Sequence, residues 1–463
     1  MEHGQAEAVQ IPEPKCIAST DPVLSKINVG ENCEAQDGAV RSRKFEASCF
    51  RSAQWSPDGT CILTNDSSNN LRTFIVPQDI LSNDKAHTLT PYASFASPEP
   101  INAFIPYPGY SLQNPESTLV LSSIRDHPIR LTNALFNSTA GSSPSSDFRS
   151  SVVAAYPLVS STERYVAPHS LAFTSDGTHF IAGSDSLISF FDVYRSHSAP
   201  VAQQKTIPSR RNKLVGGGVG IKGIISALSI SAERTLAAGT LSRSIGLYAD
   251  EGQGTPIAVF SVAHDKDRYA QGMKEVGGCG VTQVLWSPCA RYLYVAERKS
   301  DVVLLYDIRV TGRLLGWLKG RKADTNQRLD VDVVRCADGH EIWAGGTDGV
   351  ARVWRNPGEK EGAIEADFGW EAHQSPVSST IVHSSGLLVA TCSGERVIPR
   401  IRYDGSSDES DSETENAEIE QESTPDNASL ESSSSSSISS PESSKIVSQS
   451  SQPARNSLKI WSI

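Results

Sequence analysis

LKIWSI, Leu458 to Ile463, ends the chain, and six earlier stretches share its pattern: LRTFIV (Leu71 to Val76), PIRLTN (Pro128 to Asn133), ISFFDVY (Ile188 to Tyr194), SIGLY (Ser244 to Tyr248), VVLLYDI (Val302 to Ile308) and VARVW (Val350 to Trp354). A turn of the SPDG kind comes before each, at Ser56, Asn114, Thr174, Ser231, Ser287, Cys336 and His383, so the repeat intervals are 58, 60, 57, 56, 49 and 47 residues. A four-stranded WD blade takes about 40 to 45 residues, which assigns the surplus to loop insertions. Between each turn and its strand lies a further strand closed by small residues, as in IAGSDS (Ile181 to Ser186), LAAGTLSRS (Leu236 to Ser244) and WAGGTDG (Trp343 to Gly349). The pattern predicts an all-β fold, a seven-bladed WD40 β-propeller.

The seventh repeat stops on its third strand, so its outermost strand must come from elsewhere. The spare β-like segment nearest the first repeat is Arg41 to Ser48, and the ring is expected to close on that N-terminal strand. Joining the two chain ends removes sheet edges that would otherwise invite aggregation. The expected organisation is a disordered acidic N-terminus (1–40) and a propeller (41–463) interrupted by a disordered insert (404–456) within blade seven.

Composition supports that division. The net charge is −11. Residues 1–40 carry −5 and 404–456 carry −10, which leaves +4 on the body between them. A pI near 5.5 therefore understates how basic the folded part is, and does not argue against a nucleic-acid partner. The stretch Asp404 to Ser444 is rich in serine and acid with few large apolar side chains, so it cannot offset the entropy of ordering. Ser407 and Ser410, with acids just downstream, suit acid-directed phosphorylation. Smaller insertions are expected at Ser138 to Ser151, Ser209 to Gly220 and Asp265 to Gly280. The second, with SRRNK before GGGVG, lacks the strand, helix and lysine-serine pair of a phosphate loop and reads as a flexible basic loop.

No run of eighteen apolar residues and no charged-then-apolar leader is present, so neither a membrane span nor a secretory signal is expected. The eight cysteines (Cys16, Cys33, Cys49, Cys61, Cys279, Cys289, Cys336 and Cys392) show no CxxC pair and read as reduced thiols packed mostly in strands, not as metal ligands. There is no GxSxG elbow, no HExxH and no acid pair placed together, so no catalytic residue, metal or cofactor is assigned and no enzymatic activity is expected. His264 and His373 occupy the place of the usual Gly-His step and are expected to be structural.

In a propeller, the turns between second and third strands open on the same end as the loops leading into each first strand. Those turns carry Arg125, His127 and Arg130 in blade two, Arg243 in blade four, Arg298 and Lys299 in blade five, and Arg396 in blade seven. The lead-in loops add His169, Lys222 and Arg328. An arginine fork can hold a phosphate by two contacts and stack on a base. A cationic groove with stacking positions grips unpaired RNA with about 1 to 3 kcal/mol per stacked base. The competing reading pairs these arginines with local acids such as Asp126, Asp301 or Glu395.

The wording of the blades is more specific than a generic WD repeat. WSPDGTCILTN (Trp55 to Asn65), SSIRDHPIRL (Ser122 to Leu131), HSLAFTSDG (His169 to Gly177), GIIS (Gly223 to Ser226), SRSIGLY (Ser242 to Tyr248), TNQR (Thr325 to Arg328) and ERKSDVVLLYDIR (Glu297 to Arg309) resemble the telomerase Cajal body protein family over about Cys49 to Arg396. The resemblance implies a nuclear, Cajal-body propeller that binds small nuclear or small Cajal body RNAs of the H/ACA type, telomerase RNA included. It also implies ribonucleoprotein proteins and a telomerase particle as partners. The RNA-binding residues it implies are Arg125, His127, Arg130, His169, Arg243, Arg298, Lys299 and Arg328. A monomer is expected. Departures include Tyr306 where tryptophan is usual, Arg355 where aspartate is usual, and the insertions, which mark a divergent, fungal-like member. A protein-only adaptor and a spliceosomal small nuclear ribonucleoprotein factor are the alternatives.

Overall fold

Short apolar strands make sheets that must bury both faces, second strands such as Cys61–Asp66, Leu236–Thr240 and Leu388–Ser393 being buried along their whole length, and the chain satisfies this by closing seven sheets into a ring. The computed structural model describes residues 13–20, 48–82, 85–136, 151–207, 220–262, 276–395 and 456–463. The first strands are Phe50–Trp55, Ile101–Pro106, Ser170–Phe173, Ile225–Ile230, Val281–Trp286, Val331–Cys336 and Val377–Val382. Each leads a sheet whose first three strands follow one another antiparallel and in sequence order, and the third strands coincide with the seven stretches read from the sequence. The fold is the expected seven-bladed propeller.

The core is distributed around this ring. Seven hydrophobic clusters among the described residues each span one blade–blade interface; one joins Leu247 and Ile245 to Leu293 and Leu304, the next Tyr294 to Ile342 and Trp354. Fully burying one such side chain is worth about 1.5 to 3 kcal/mol. Next to the axis, polar side chains tie each first strand to the next. Gln54 donates to the Phe104 carbonyl (3.0 Å), Ser170 to Ile225 (2.8 Å), Gln283 to Val331 (2.8 Å), and Trp55 closes the circle on Ile381 (3.2 Å). The Asp332 carboxylate accepts the Val382 N–H (2.8 Å), and burial pushes its pKa up to about 6.

The closing strand differs from the one expected. Lys15–Thr20, not Arg41 to Ser48, pairs antiparallel with Leu458–Ser462 and completes blade seven. Thus the segment 1–40 contributes a strand to the propeller. Ile17, Ala18 and Thr20 are buried, and the Thr20 Oγ1 accepts the Leu458 N–H (3.0 Å). Residues 41–47 lie outside the described residues. Ser48 is buried, and its carbonyl accepts a bond from Asn456 Nδ2 (3.1 Å) where blade one begins. The mixed polarity of KCIAST hides its role in the sequence, because only Leu458–Ser462 and blade one supply the pocket that buries its apolar half.

Two blades carry a fifth strand that no repeat count predicts. His87–Leu89, from the linker between the third and fourth strands of blade one, pairs parallel with Lys15–Thr20. Gly362–Ile364, from the same linker of blade six, pairs parallel with Leu314–Leu318 of blade five. Each covers an outer edge that would otherwise expose unpaired backbone.

The acidic insert falls between Leu388–Ser393 and Leu458–Ser462, second and third strands of blade seven. Residues 396–455, with Arg396, Ser407 and Ser410, lie outside the described residues, as do His264, Cys33 and most of the three smaller insertions. Among the described cysteines Cys16, Cys61, Cys336 and Cys392 lie in strands, Cys61 and Cys392 fully buried, whereas Cys279 and Cys289 are exposed on loops. Tyr306 fills its blade fully buried, and Arg355 pairs with Glu341 (2.9 Å).

Candidate nucleic-acid interface

The end of the ring that carries the turns between second and third strands is built from backbone held in place by its neighbours. Arg125 follows Leu119–Ile124, and its N–H donates to the Pro100 carbonyl (3.0 Å) while its carbonyl meets His127 Nδ1 (2.7 Å). Between them Asp126 takes the left-handed conformation, φ 56°, which turns the chain back into the third strand. Arg298 is held by its N–H on the Gly280 carbonyl (2.9 Å) and by its carbonyl accepting from Cys279 (2.8 Å). Lys299, at φ 51°, donates its N–H to Thr325 (2.9 Å).

This last bond begins a rim that runs from blade five to blade one. Gln327 Nε2 donates to the Gly394 carbonyl (2.8 Å). Glu395 and Asn456 then exchange two bonds of 3.0 Å each, and Asn456 reaches Ser48. The two described residues that flank 396–455, Glu395 and Asn456, are therefore joined directly on this end. Beneath the rim, buried Arg321 donates to Gly345 (2.8 Å) and Leu329 (2.9 Å), and burial brings its pKa down to about 10. The sequence reading missed Arg321, Gln327 and Asn456. Their signal is an arginine, a glutamine and an asparagine beside blade boundaries, which spacing alone does not single out.

The structure separates the cations that the sequence grouped. Arg243 is a clamp, with Nε and Nη2 on the two carboxylate oxygens of Glu297 (2.7 and 3.2 Å), whose side chain is 1% exposed. Arg328 pairs with Asp330 (2.9 Å), a carboxyl whose pKa burial raises while Arg328 and Arg321 pull it back. Arg130 lies within the third strand of blade two, opposite Ala155, half-buried, with its pKa lowered by burial. The acids that pair are Glu297 and Asp330. Asp126, Asp301 and Glu395 form no ion pair among the described residues, and Asp301 instead accepts the Ala323 N–H.

Arg125, Arg298 and Lys299 are exposed and have no acid partner among the described residues. His169 leads into blade three, its N–H on the Gly183 carbonyl (2.8 Å) and its ring half-buried. Burial first, then the guanidinium groups of Arg125 and Arg298, hold its pKa below the usual histidine value. The ring is thus neutral at physiological pH, and cations from blades two and five both bear on it. His127 sits beside Arg125. Tyr165, on the loop leading into blade three, adds an exposed aromatic ring (45%) at this end, also missed from the sequence.

His373 is structural, as expected: its Nε2 meets Thr391 Oγ1 (2.8 Å), its Nδ1 faces Ser457 (3.3 Å), and Trp461 Nε1 donates to the same Thr391 (2.8 Å).

No protein-family model matches the chain. It is 33% identical over 340 residues to the "Guanine nucleotide-binding protein negative regulator 1" of Schizosaccharomyces pombe, covering 72% of this chain and 76% of that protein. To the "Telomerase Cajal body protein 1" of Homo sapiens it is 27% identical over 365 residues, 78% of this chain and 59% of that one. The Mus musculus protein of that name is 27% identical over 381 residues, 81% of this chain and 63% of that one. The chain thus spans about three-fifths of the length of these mammalian relatives.

Proposed function

Because the chain belongs to the telomerase Cajal body protein family, we propose that this WD-repeat scaffold is a non-enzymatic nuclear RNA-binding protein. It holds a short unpaired stretch of an H/ACA-type small Cajal body RNA or telomerase RNA, and directs the ribonucleoprotein to Cajal bodies. The names of the mammalian relatives carry the telomerase and Cajal-body part of this reading. The observation that supports the RNA part is the sorting of the arginines. A surface arginine with its own acid has little attraction left for a polyanion, whereas Arg125, Arg298 and Lys299 keep theirs. Half-buried His169 and exposed Tyr165, both on the loop leading into blade three, offer ring faces at the same end, as binding to single strands requires.

The test is ultraviolet crosslinking in the protein's own cells, followed by sequencing of the attached RNA, with an Arg298→Ala, Lys299→Ala double variant beside the wild type. Enrichment of H/ACA-type or telomerase RNA, lost in the double variant, is the expected result. Affinity should also fall as salt rises, with a shallower slope in the variant. No enriched RNA would sink the reading.

A second reading, a protein-only adaptor, draws on the name of the Schizosaccharomyces pombe relative, which refers to regulation of a guanine nucleotide-binding protein. On that reading the same end binds an acidic protein surface.

A further inference from the structure

In three blades the outermost strand is met by the linker of the blade that follows. His87–Leu89 lies parallel along Lys15–Thr20 of blade seven, and Gly362–Ile364 along Leu314–Leu318 of blade five. On blade two the His197 N–H donates to the Ala155 carbonyl (2.7 Å). In both paired cases the third residue of the added strand is a buried aliphatic, Leu89 opposite Thr20 and Ile364 opposite Leu318. Glu365 follows Ile364 and pairs with Lys319 (2.7 Å).

Blade four lacks this cover among the described residues. Its outermost strand, Pro256–Ser261, has one partner, Ser244–Tyr248. The sequence PIAVFS carries no charge, none of its six residues is buried, and Ile257 is 56% exposed. Proteins ordinarily guard such an edge with charge or a covering segment. The other outermost strands without a fifth strand are shorter, four or five residues each. The following linker, Ile308 to Arg313, folds on itself instead of pairing. Asp307 accepts the Arg309 N–H (3.0 Å), Thr311 Oγ1 donates to the Ile308 carbonyl (3.1 Å), and the Arg313 N–H donates to Val310 (3.1 Å). It passes so close to Phe260 that a Cβ on Gly312 would stand 3.1 Å from that side chain. What it brings to the edge is positive charge: exposed Arg309 and Arg313, and beside them exposed Arg291, whose carbonyl accepts the Ile308 N–H (2.9 Å). Among the described residues these three guanidinium groups have one acid partner, Asp307.

We propose that Pro256–Ser261 is a docking edge on which an extended acidic segment of a partner protein adds a parallel fifth strand. The register of the ring places it. Ile245 pairs with Phe260 as Val303 pairs with Leu318, so the added strand lies along Ala258, Val259 and Phe260, with an aliphatic residue beside Phe260. In strand addition the main-chain bonds give affinity and the alternate side chains give specificity. Acids flanking the aliphatic residue meet Arg291, Arg309 and Arg313. A nucleic acid has no backbone amides with which to join a sheet, so the occupant is a polypeptide, and the docking edge is independent of the RNA reading.

The probe is the chain's own covering segment, the end-blocked peptide EGAIEAD with the sequence of Glu361 to Asp367, added to the full chain while amide hydrogen exchange is followed by mass spectrometry. Exchange should slow over Pro256–Ser261, and Ile364→Lys in the peptide should abolish the effect. Arg313→Glu in the protein should weaken the peptide about tenfold while leaving the urea midpoint unchanged, which shows that the propeller is intact. No binding, binding that protects other segments, or equal affinity for wild type and Arg313→Glu overturns the docking edge. Slow exchange of Pro256–Ser261 in the free chain at every concentration means that the edge is already covered from within, and also overturns it. Protection that rises with protein concentration in the absence of peptide assigns the edge to a second copy of this chain and overturns the acidic partner.

Discussion

Blades five and seven have the same cross-section and opposite chain histories. Each is a five-stranded sheet whose outermost strand runs parallel and comes from a linker of the following blade. Blade five draws its first four strands from one continuous run, Val281 to Leu318. Blade seven takes two strands before residue 394, its third from the C-terminus and its fourth from Lys15–Thr20. Sheet pairing is blind to covalent order, so the same hydrogen-bond geometry results. What differs is what keeps the strands near one another: connectivity in blade five, and Thr20, Asn456 and His373 in blade seven.

The strongest way to break this comparison is a charge in the seam. Ala18 is fully buried between Ile460 and the blade-one core, and Ala18→Asp should cost more than about 4 kcal/mol or abolish cooperative unfolding, read by urea denaturation. Next come Leu89→Ala and Ile364→Ala, matched truncations in the two fifth strands, each 3% exposed. Both should cost about 2 to 5 kcal/mol. Only Leu89→Ala should speed hydrogen exchange at Lys15–Thr20; equal exchange in both variants would remove the distinction between seam and continuous blade.

A pH effect of intermediate size follows from His373, whose pKa burial, with Lys459, depresses to about 3. Its folded value lies below the unfolded one, so its contribution is complete above the unfolded histidine pKa near 6.5 and is lost as pH falls from there towards 3. By pH 5 the loss should be about 2 kcal/mol, and His373→Gln, though less stable at pH 7, should flatten the decline. A curve of unchanged slope in that variant would assign the acid sensitivity elsewhere. The smallest effect belongs to blade five: Arg309→Ala removes an exposed, solvent-screened pair with Asp307 (2.6 Å) and should leave the urea midpoint essentially unchanged.

The candidate interface was legible to a different degree from the fold. Turn position placed Arg125, His169, Arg298 and Lys299 on one end, because a propeller repeats its connections. It placed Arg243 and Arg328 there equally well, but could not show that Glu297 and Asp330 already occupy them. Those acids begin or end strands at blade boundaries, and the geometry between blades decides which arginine they meet. Tyr165 went unread because its loop belongs to no repeat.

Local pattern alone determined that the chain makes seven blades: strand alternation, turn chemistry and repeat length are properties of neighbours in sequence, and LKIWSI at the end already showed that the last blade was incomplete. Which strand completes it, and which arginines remain unpaired, only the tertiary structure decided. Both depend on surfaces assembled from residues far apart along the chain: KCIAST becomes a strand because Leu458–Ser462 and the blade-one core bury Ile17 and Ala18, and an arginine stays available where the closed ring brings it no carboxylate.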